Sequence, residues 1–400
     1  MRQVLSAFCL SLMLFTGHLV FSQIVVNSRI LSTENEVLRQ WAKANSHADT
    51  VAIMDASKRL MDRVNLYERM IQKHFLEDGM VVNRTASGKA IDHCDSLLFS
   101  SLRYISLKKL GMPEKAEAAW AAIEKSRNEQ SGGWMRHPKC DHWTSRDMIV
   151  GLLAALTQLP PNSDVHLDGL VDYVGKNQGY IGEGPFYVSY LSPGLGEGLR
   201  VLIGGPHKKD YQLPPAVRYG FSTLEFDVFL NQPGYRSHLN SMVMWIELEL
   251  KDAYHDPENF QFRSVVPSIS PIFAPFTKED LRSQRIQWLA QRLVRTDPSN
   301  MFFRYLRLRT ADALTDGVRL KLMEELLAME QFPEYRTPAN CDRKADYMWQ
   351  RGSHEYGPQS LVCGEYFNGV DFLWMTALLL DRPLERTAAA KPQDDIPASF

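Results

Sequence analysis

The stretch Asn368-Gly-Val-Asp371-Phe-Leu-Trp-Met-Thr-Ala-Leu-Leu-Leu380 decides the fold class. Past its first turn it is apolar on every side, so as a helix it has no solvent face and must be surrounded by other elements. The signature recurs upstream. Thr144-Ser-Arg-Asp147 leads into Met148-Ile-Val-Gly-Leu-Leu-Ala-Ala-Leu156, and Asp92-His-Cys-Asp95 leads into Ser96-Leu-Leu-Phe99.

Working outward, apolar segments of this kind run roughly over Asp92 to Leu110, Thr144 to Leu159, Ser192 to Ile203, Ser237 to Leu250, Asn300 to Leu308 and Asn368 to Leu380. Each follows an amphipathic, charged segment: Glu36 to Lys73, Pro113 to Arg127, Val165 to Lys176, Pro214 to Phe229, Lys278 to Val294 and Asp312 to Met329. A helix with one apolar stripe covers the outside, whereas an all-apolar helix is buried, so six outer-then-inner pairs emerge. Strand signals are scarce. The expectation is an all-α protein and, within that class, a single (α/α)6 toroid over residues 23 to 386, six outer/inner helix pairs with long loops on one face. An α-solenoid is the runner-up; it needs a regular repeat length, and these pairs are irregular.

The chain of 400 residues, 44 % hydrophobic with Lys+Arg 45 against Asp+Glu 47, has the apolar content for a large core. Its formal charge of -2 gives no electrostatic footprint for nucleic acid. Residues 1 to 22 read as a cleaved secretory signal: Arg2, an apolar run Val4 to Phe15, and a short stretch ending Val20-Phe21-Ser22. The expected mature protein is secreted or periplasmic, without a membrane segment. Its four cysteines, Cys94, Cys140, Cys341 and Cys363, suit disulfides, and sequence proximity suggests Cys94 to Cys140 and Cys341 to Cys363. Without a Cys-x-x-Cys pair, and with His93, His137 and His142 off metal-site spacing, no metal is expected. No phosphate-cradling or dinucleotide motif is present, so no cofactor is expected either. The terminus 387 to 400 reads as a flexible tail, and the oligomeric state is left open.

Inner-to-outer links, such as Leu110-Gly111-Met112-Pro113, are short. Outer-to-inner links are long: Leu76 to Ile91, Asn128 to Trp143, Asn177 to Leu191 and Glu330 to Phe367. Long loops in compact domains carry function, and in a toroid all of these lie where the inner helices begin. Three inner helices open with a polar residue and an aspartate three positions on: Asp92 and Asp95, Thr144 and Asp147, Asn368 and Asp371. The pattern matches a capping box. Carboxylates converging on a cleft also separate their pKa values, as glycosidic cleavage requires. Glu183, Glu197, Glu355 and Glu365 widen the field.

The same loops are dense in aromatic side chains, Tyr187 among them, with Trp134, Trp143 and Trp349 as candidate platforms for the apolar face of a sugar ring. Arg136, His137, His142, Arg146, Arg236, His238, Arg351 and His354 add cationic and hydrogen-bonding groups suited to an anionic saccharide. His238 is also a candidate general base for β-elimination.

With these residues in view, the chain resembles the (α/α)6-toroid glycoside hydrolases and polysaccharide lyases. Asp92-His93-Cys94-Asp95 before Leu97-Leu98-Phe99 is similar to the Asp-His-Asp segment at an inner-helix start of the unsaturated glucuronyl hydrolases, where an aspartate acts as acid/base. The match departs at Cys94 and shifts the second aspartate by one position, which leaves Asp92 and Asp95 both open as its equivalent. Gly132-Gly133-Trp134-Met135-Arg136 resembles the Gly-x-Trp loops of these toroids. The resemblance implies a carbohydrate substrate. The expectation is hydrolysis of a poly- or oligosaccharide by Asp147 with Asp92 or Asp95, and with Trp134, Arg136, His142, Trp143, Arg146, Tyr187, His238, Trp349, Glu365 and Asp371 binding substrate. The alternatives are a lyase and a saccharide-binding toroid without chemistry.

Overall fold

The computed structural model describes residues 31–82, 84–85, 96–140, 144–177, 199, 202, 235–253, 278–328, 365–366 and 368–381. Helix α1 covers 31–44. There follow α2 (Thr50–His74), β1 (Leu76–Glu77), β2 (Met80–Val81), β3 (Arg84–Thr85), α3 (Ser96–Lys109), α4 (Pro113–Glu124), α5 (Arg146–Leu156) and α6 (Ser163–Lys176). The rest are α7 (Tyr235–Ala253), α8 (Lys278–Thr296), α9 (Met301–Thr310), α10 (Asp316–Ala328), β4 (Glu365–Tyr366) and α11 (Val370–Leu380). The protein is all-α.

Local chemistry sets the boundaries. The expected single segment from Glu36 to Lys73 is two helices, because Asp49 caps a new one: its Oδ1 accepts from the Val51 N–H at 3.0 Å. Helix α3 ends as Leu110-Gly111-Met112-Pro113 suggests. Gly111 N–H bonds to Lys108 O at 3.2 Å and Met112 N–H to Leu107 O at 2.9 Å, and Pro113 then opens α4. The hairpin β1–β2 turns at Asp78-Gly79, both at positive φ, a signal the sequence reading passed over. The expected segments Ser192 to Ile203 and Pro214 to Phe229 lie outside the described residues, except for 199 and 202, both helical.

Among the described residues five apolar helices form the centre. Helix α3 packs between α5 and α11, α5 packs against α7, and α7 against α9. The rings of Phe302 and Trp374, 5.8 Å apart, bring α9 to α11. Trp374 also meets Trp245 of α7 edge-on at 4.7 Å. From Val370 to Leu379 every residue of α11 is buried, as its sequence requires. Each large apolar side chain there contributes on the order of 1.5–3 kcal/mol through burial. The amphipathic helices lie against this centre: α4 on α3, α2 on α10 and α11, and α8 on α7 and α9.

The central helices run parallel. Near their starts, Leu98 N–H of α3 points to Met148 Sδ of α5 at 3.3 Å, and the His238 ring of α7 lies 5.4 Å from Phe303 of α9. At their far ends a network of ions joins four of them. Lys109 Nζ of α3 bonds Asp381, which caps α11, and lies 3.2 Å from Glu249 of α7, which in turn is 2.9 Å from Arg309 of α9.

Candidate functional site at the start of the central helices

Parallel packing places the first turns of α3, α5, α7, α9 and α11 at one end. Three of the long links meet there. In the Leu76 to Ile91 link, β3 pairs with β4 of the Glu330 to Phe367 link, Arg84 opposite Tyr366 and Thr85 opposite Glu365. The Asn128 to Trp143 link is fastened to the first by His137, whose Nε2 lies 3.2 Å from Glu77 O while its Nδ1 accepts from the Lys139 N–H at 3.0 Å. Lys139 Nζ is itself 2.7 Å from Glu77 Oε1 and 3.0 Å from Asp78 Oδ2. Fully buried and bonded at both nitrogens, His137 fastens one loop to the other.

Asp147 is half-buried, the second residue of α5. The Ser145 hydroxyl donates to its Oδ1. The expected capping box from Thr144 is therefore not formed: Ser145 is the N-cap residue, and the aspartate bonds that serine instead of a free backbone N–H. The Thr144 hydroxyl, 2 % exposed, and that of Ser96 at the start of α3 have no hydrogen-bond partner, two buried polar atoms at the same end. Sequence reasoning missed Ser145, although the tandem Thr144-Ser145 ahead of Asp147 was the signal.

Asp371 is 6 % exposed and second in α11. Its Oδ1 accepts from the Phe372 N–H at 3.1 Å, and Asn368 Oδ1 accepts from the Val370 N–H at 2.9 Å. The N-cap position belongs to Gly369, not Asn368. His238, 8 % exposed, stacks obliquely on Phe303 near the start of α7.

Trp134 corrects the expectation of an open platform. It is 3 % exposed, with the rings of Trp120 at 6.5 Å and His166 at 5.4 Å, so it secures its loop to α4 and α6. The two glycines before it serve the same packing. Gly132 has φ of 78° and a Cβ there would lie 2.5 Å from Gly169 O, so this Gly-Gly-Trp segment is shaped by close approach to α6. Arg136, in the same link, is half-buried. Arg146 and Glu365 are placed by backbone, in α5 and β4. Asp92, Asp95, His142, Trp143, Tyr187 and Trp349 lie outside the described residues.

Cys140 is buried; Cys94, Cys341 and Cys363, and with them both expected disulfide pairings, lie outside the described residues. Among the described residues no three metal-ligating side chains come together, and no helix is long and apolar enough to cross a membrane. No protein-family model matches this chain, and no curated protein matches it.

Proposed function

We propose that this protein is an exported carbohydrate-active enzyme that hydrolyses glycosidic bonds of a poly- or oligosaccharide where its central helices begin. The observation that carries this reading is the set of parallel apolar helices whose first turns, with Asp147 and Asp371, open on the side where three long links are stitched together. The helix pairs are read as an (α/α)6 toroid, with the segment around 199–202 supplying another inner helix. Asp147 and one of Asp92 or Asp95 are assigned as the reacting carboxylates. One, protonated, gives its proton to the leaving glycosidic oxygen; the other activates water or attacks the anomeric carbon. Asp371 is assigned to hold substrate hydroxyls, and Arg136 to favour an anionic saccharide.

The test is incubation of the purified protein with peptidoglycan and with neutral and uronate-bearing polysaccharides, reading reducing ends and ultraviolet absorbance together. New reducing ends without absorbance support hydrolysis. Absorbance signals β-elimination and moves the chemistry to His238, and binding without any product marks a saccharide-binding protein.

A further inference from the structure

The described residues contain two buried arginines, and they are treated differently. Arg103, 4 % exposed, is gripped by the Glu68 carboxylate. Arg307 of α9 is 6 % exposed, and neither of its Nη atoms has a hydrogen-bond partner. A buried guanidinium without acceptors loses its hydration and gains nothing in return. Such a group in a native core calls for a missing partner.

The charges around it define what that partner is. Asn35 of α1 donates to Gln287 of α8 at 2.8 Å, and Gln287 donates to Thr310 O of α9 at 3.2 Å; along this seam Arg307 of α9 is within electrostatic reach of Glu34 of α1 and Arg295 of α8. Burial pushes its guanidinium below the ordinary value, the Glu34 carboxylate opposes that, and Arg295 adds to it. Glu34 is already committed elsewhere: its Oε1 is 2.9 Å from Arg295 Nη2, and its Oε2 accepts from the Gln291 carboxamide. Among the described residues, the charged groups acting on Arg307 are thus one carboxylate and one further guanidinium, and that carboxylate is already engaged, which leaves the deeper arginine without an acceptor. A planar fork of N–H donors matches two oxygens of one oxyanion better than a point acceptor such as chloride.

We propose that the seam between α1, α8 and α9 is a binding site for a small oxyanion, with Arg307 as its principal ligand. The site is separate from the mouth of the central helices and does not depend on the hydrolase reading. Phosphate or sulfate on one hand, and the carboxylate of a small sugar acid on the other, share the required chemistry.

Isothermal titration of the purified protein with phosphate, sulfate and glucuronate, at ionic strength held constant with chloride, tests it. The expected result is saturable binding of one anion per chain for at least one of the three, with thermal unfolding moved upward by that anion. Binding by phosphate or sulfate assigns an inorganic oxyanion, and binding by glucuronate alone assigns a sugar carboxylate. Arg307→Met abolishes the signal, and Arg307→Lys, which keeps the charge without the fork, weakens it at least tenfold. Glu34→Gln, a change at the seam's partly exposed edge, tightens binding severalfold by removing the competing carboxylate, and it keeps the test decisive where Arg307→Met does not fold. Absence of saturable binding in the unmodified protein overturns the proposal, as does binding retained in Arg307→Met or unaltered in Glu34→Gln.

Discussion

Arg103 of α3 holds the fully buried carboxylate of Glu68 of α2 from two sides, Nε to Oε2 at 3.0 Å and Nη2 to Oε1 at 2.5 Å. Gln72 adds a third donor at 2.9 Å, so the carboxylate entering the core with its outer helix is satisfied on both oxygens. Removing one partner leaves the other charged and buried, which costs about 3–5 kcal/mol. Denaturant titration should show that loss for Arg103→Met. The double variant Glu68→Met with Arg103→Met should recover much of it, since no charge is then stranded. An Arg103→Met protein within about 1 kcal/mol of the unmodified one contradicts the pairing.

At the opposite end of the central helices, Glu249 is the shared partner of Lys109 and Arg309. Burial alone would raise its carboxyl pKa, but Arg309 and Lys109 outweigh burial and hold it below 4.5. A folded-state pKa below the unfolded one means that the stabilisation is present above 4.5 and is lost as the pH falls through the folded value. Urea midpoints measured down through that range should fall steeply for the unmodified protein. In Glu249→Gln they should be lower at neutral pH and flatter in acid.

Gly369 sits at φ of 76°, and a Cβ on it would come within 2.6 Å of the Tyr67 ring at two atoms, Cδ1 and Cε1. Tyr67 cannot retreat freely, because it is 3 % exposed and stacked on Phe372 at 5.0 Å. Gly369→Ala should therefore combine a left-handed backbone penalty with a clash, together about 2–4 kcal/mol. Gly369→Asn tests the cause: asparagine tolerates the left-handed region but keeps the clash, so it should rescue little. Equal stability of Asn and Gly at this position would remove the clash from the account.

The central helices were legible in the sequence because burial on all sides leaves a local mark: Val370 to Leu380 and Met148 to Leu156 carry no polar stripe. Short links ending in Gly111 and Pro113 were legible for the same local reason. What joins the helices was not. Lys109 meets Asp381 across 272 positions and Glu249 across 140, and nothing in the neighbourhood of any of the three announces the others. At the candidate site the types and level of Asp147 and Asp371 were readable. Their capping roles were misassigned, because a serine and a left-handed glycine compete for the N-cap and win. Trp134 looked like a binding platform since a Gly-Gly-Trp loop has the same composition whether it faces a sugar or a helix such as α6.

His166 gives the chain a second pH dependence, near neutrality. It is 3 % exposed between Trp120 and Trp134, its Nε2 is 2.9 Å from Glu124 Oε1, and its Nδ1 has no partner. Burial lowers its pKa below 6.5; the Glu124 bond opposes this, Arg127 adds to it, and Asp164 opposes it further. The unfolded chain then binds the proton more readily than the folded one. Stability is complete above 6.5 and falls as the pH drops from there through the folded value. Thermal unfolding from pH 7.5 to 5 should show this slope, and His166→Gln should remove it. A slope unchanged in His166→Gln places the titration on another group.

Asp147 is the position at which the functional reading is most exposed. Its carboxylate is held by the Ser145 hydroxyl at the start of a buried helix, so Asp147→Asn keeps the shape and hydrogen-bonding atoms while removing the charge and proton transfer. Under the proposed hydrolysis, Asp147→Asn should lower kcat about 10²–10⁴-fold with KM little changed, the pattern of a group acting in the transition state. Ser145→Ala should give a smaller loss in kcat, because it frees the carboxylate to rotate without removing it. Asp371→Asn, at a buried position assigned to binding, should act chiefly on KM. Folded Asp147→Asn and Asp371→Asn proteins that both turn over at the unmodified rate would move the chemistry away from this end of the molecule.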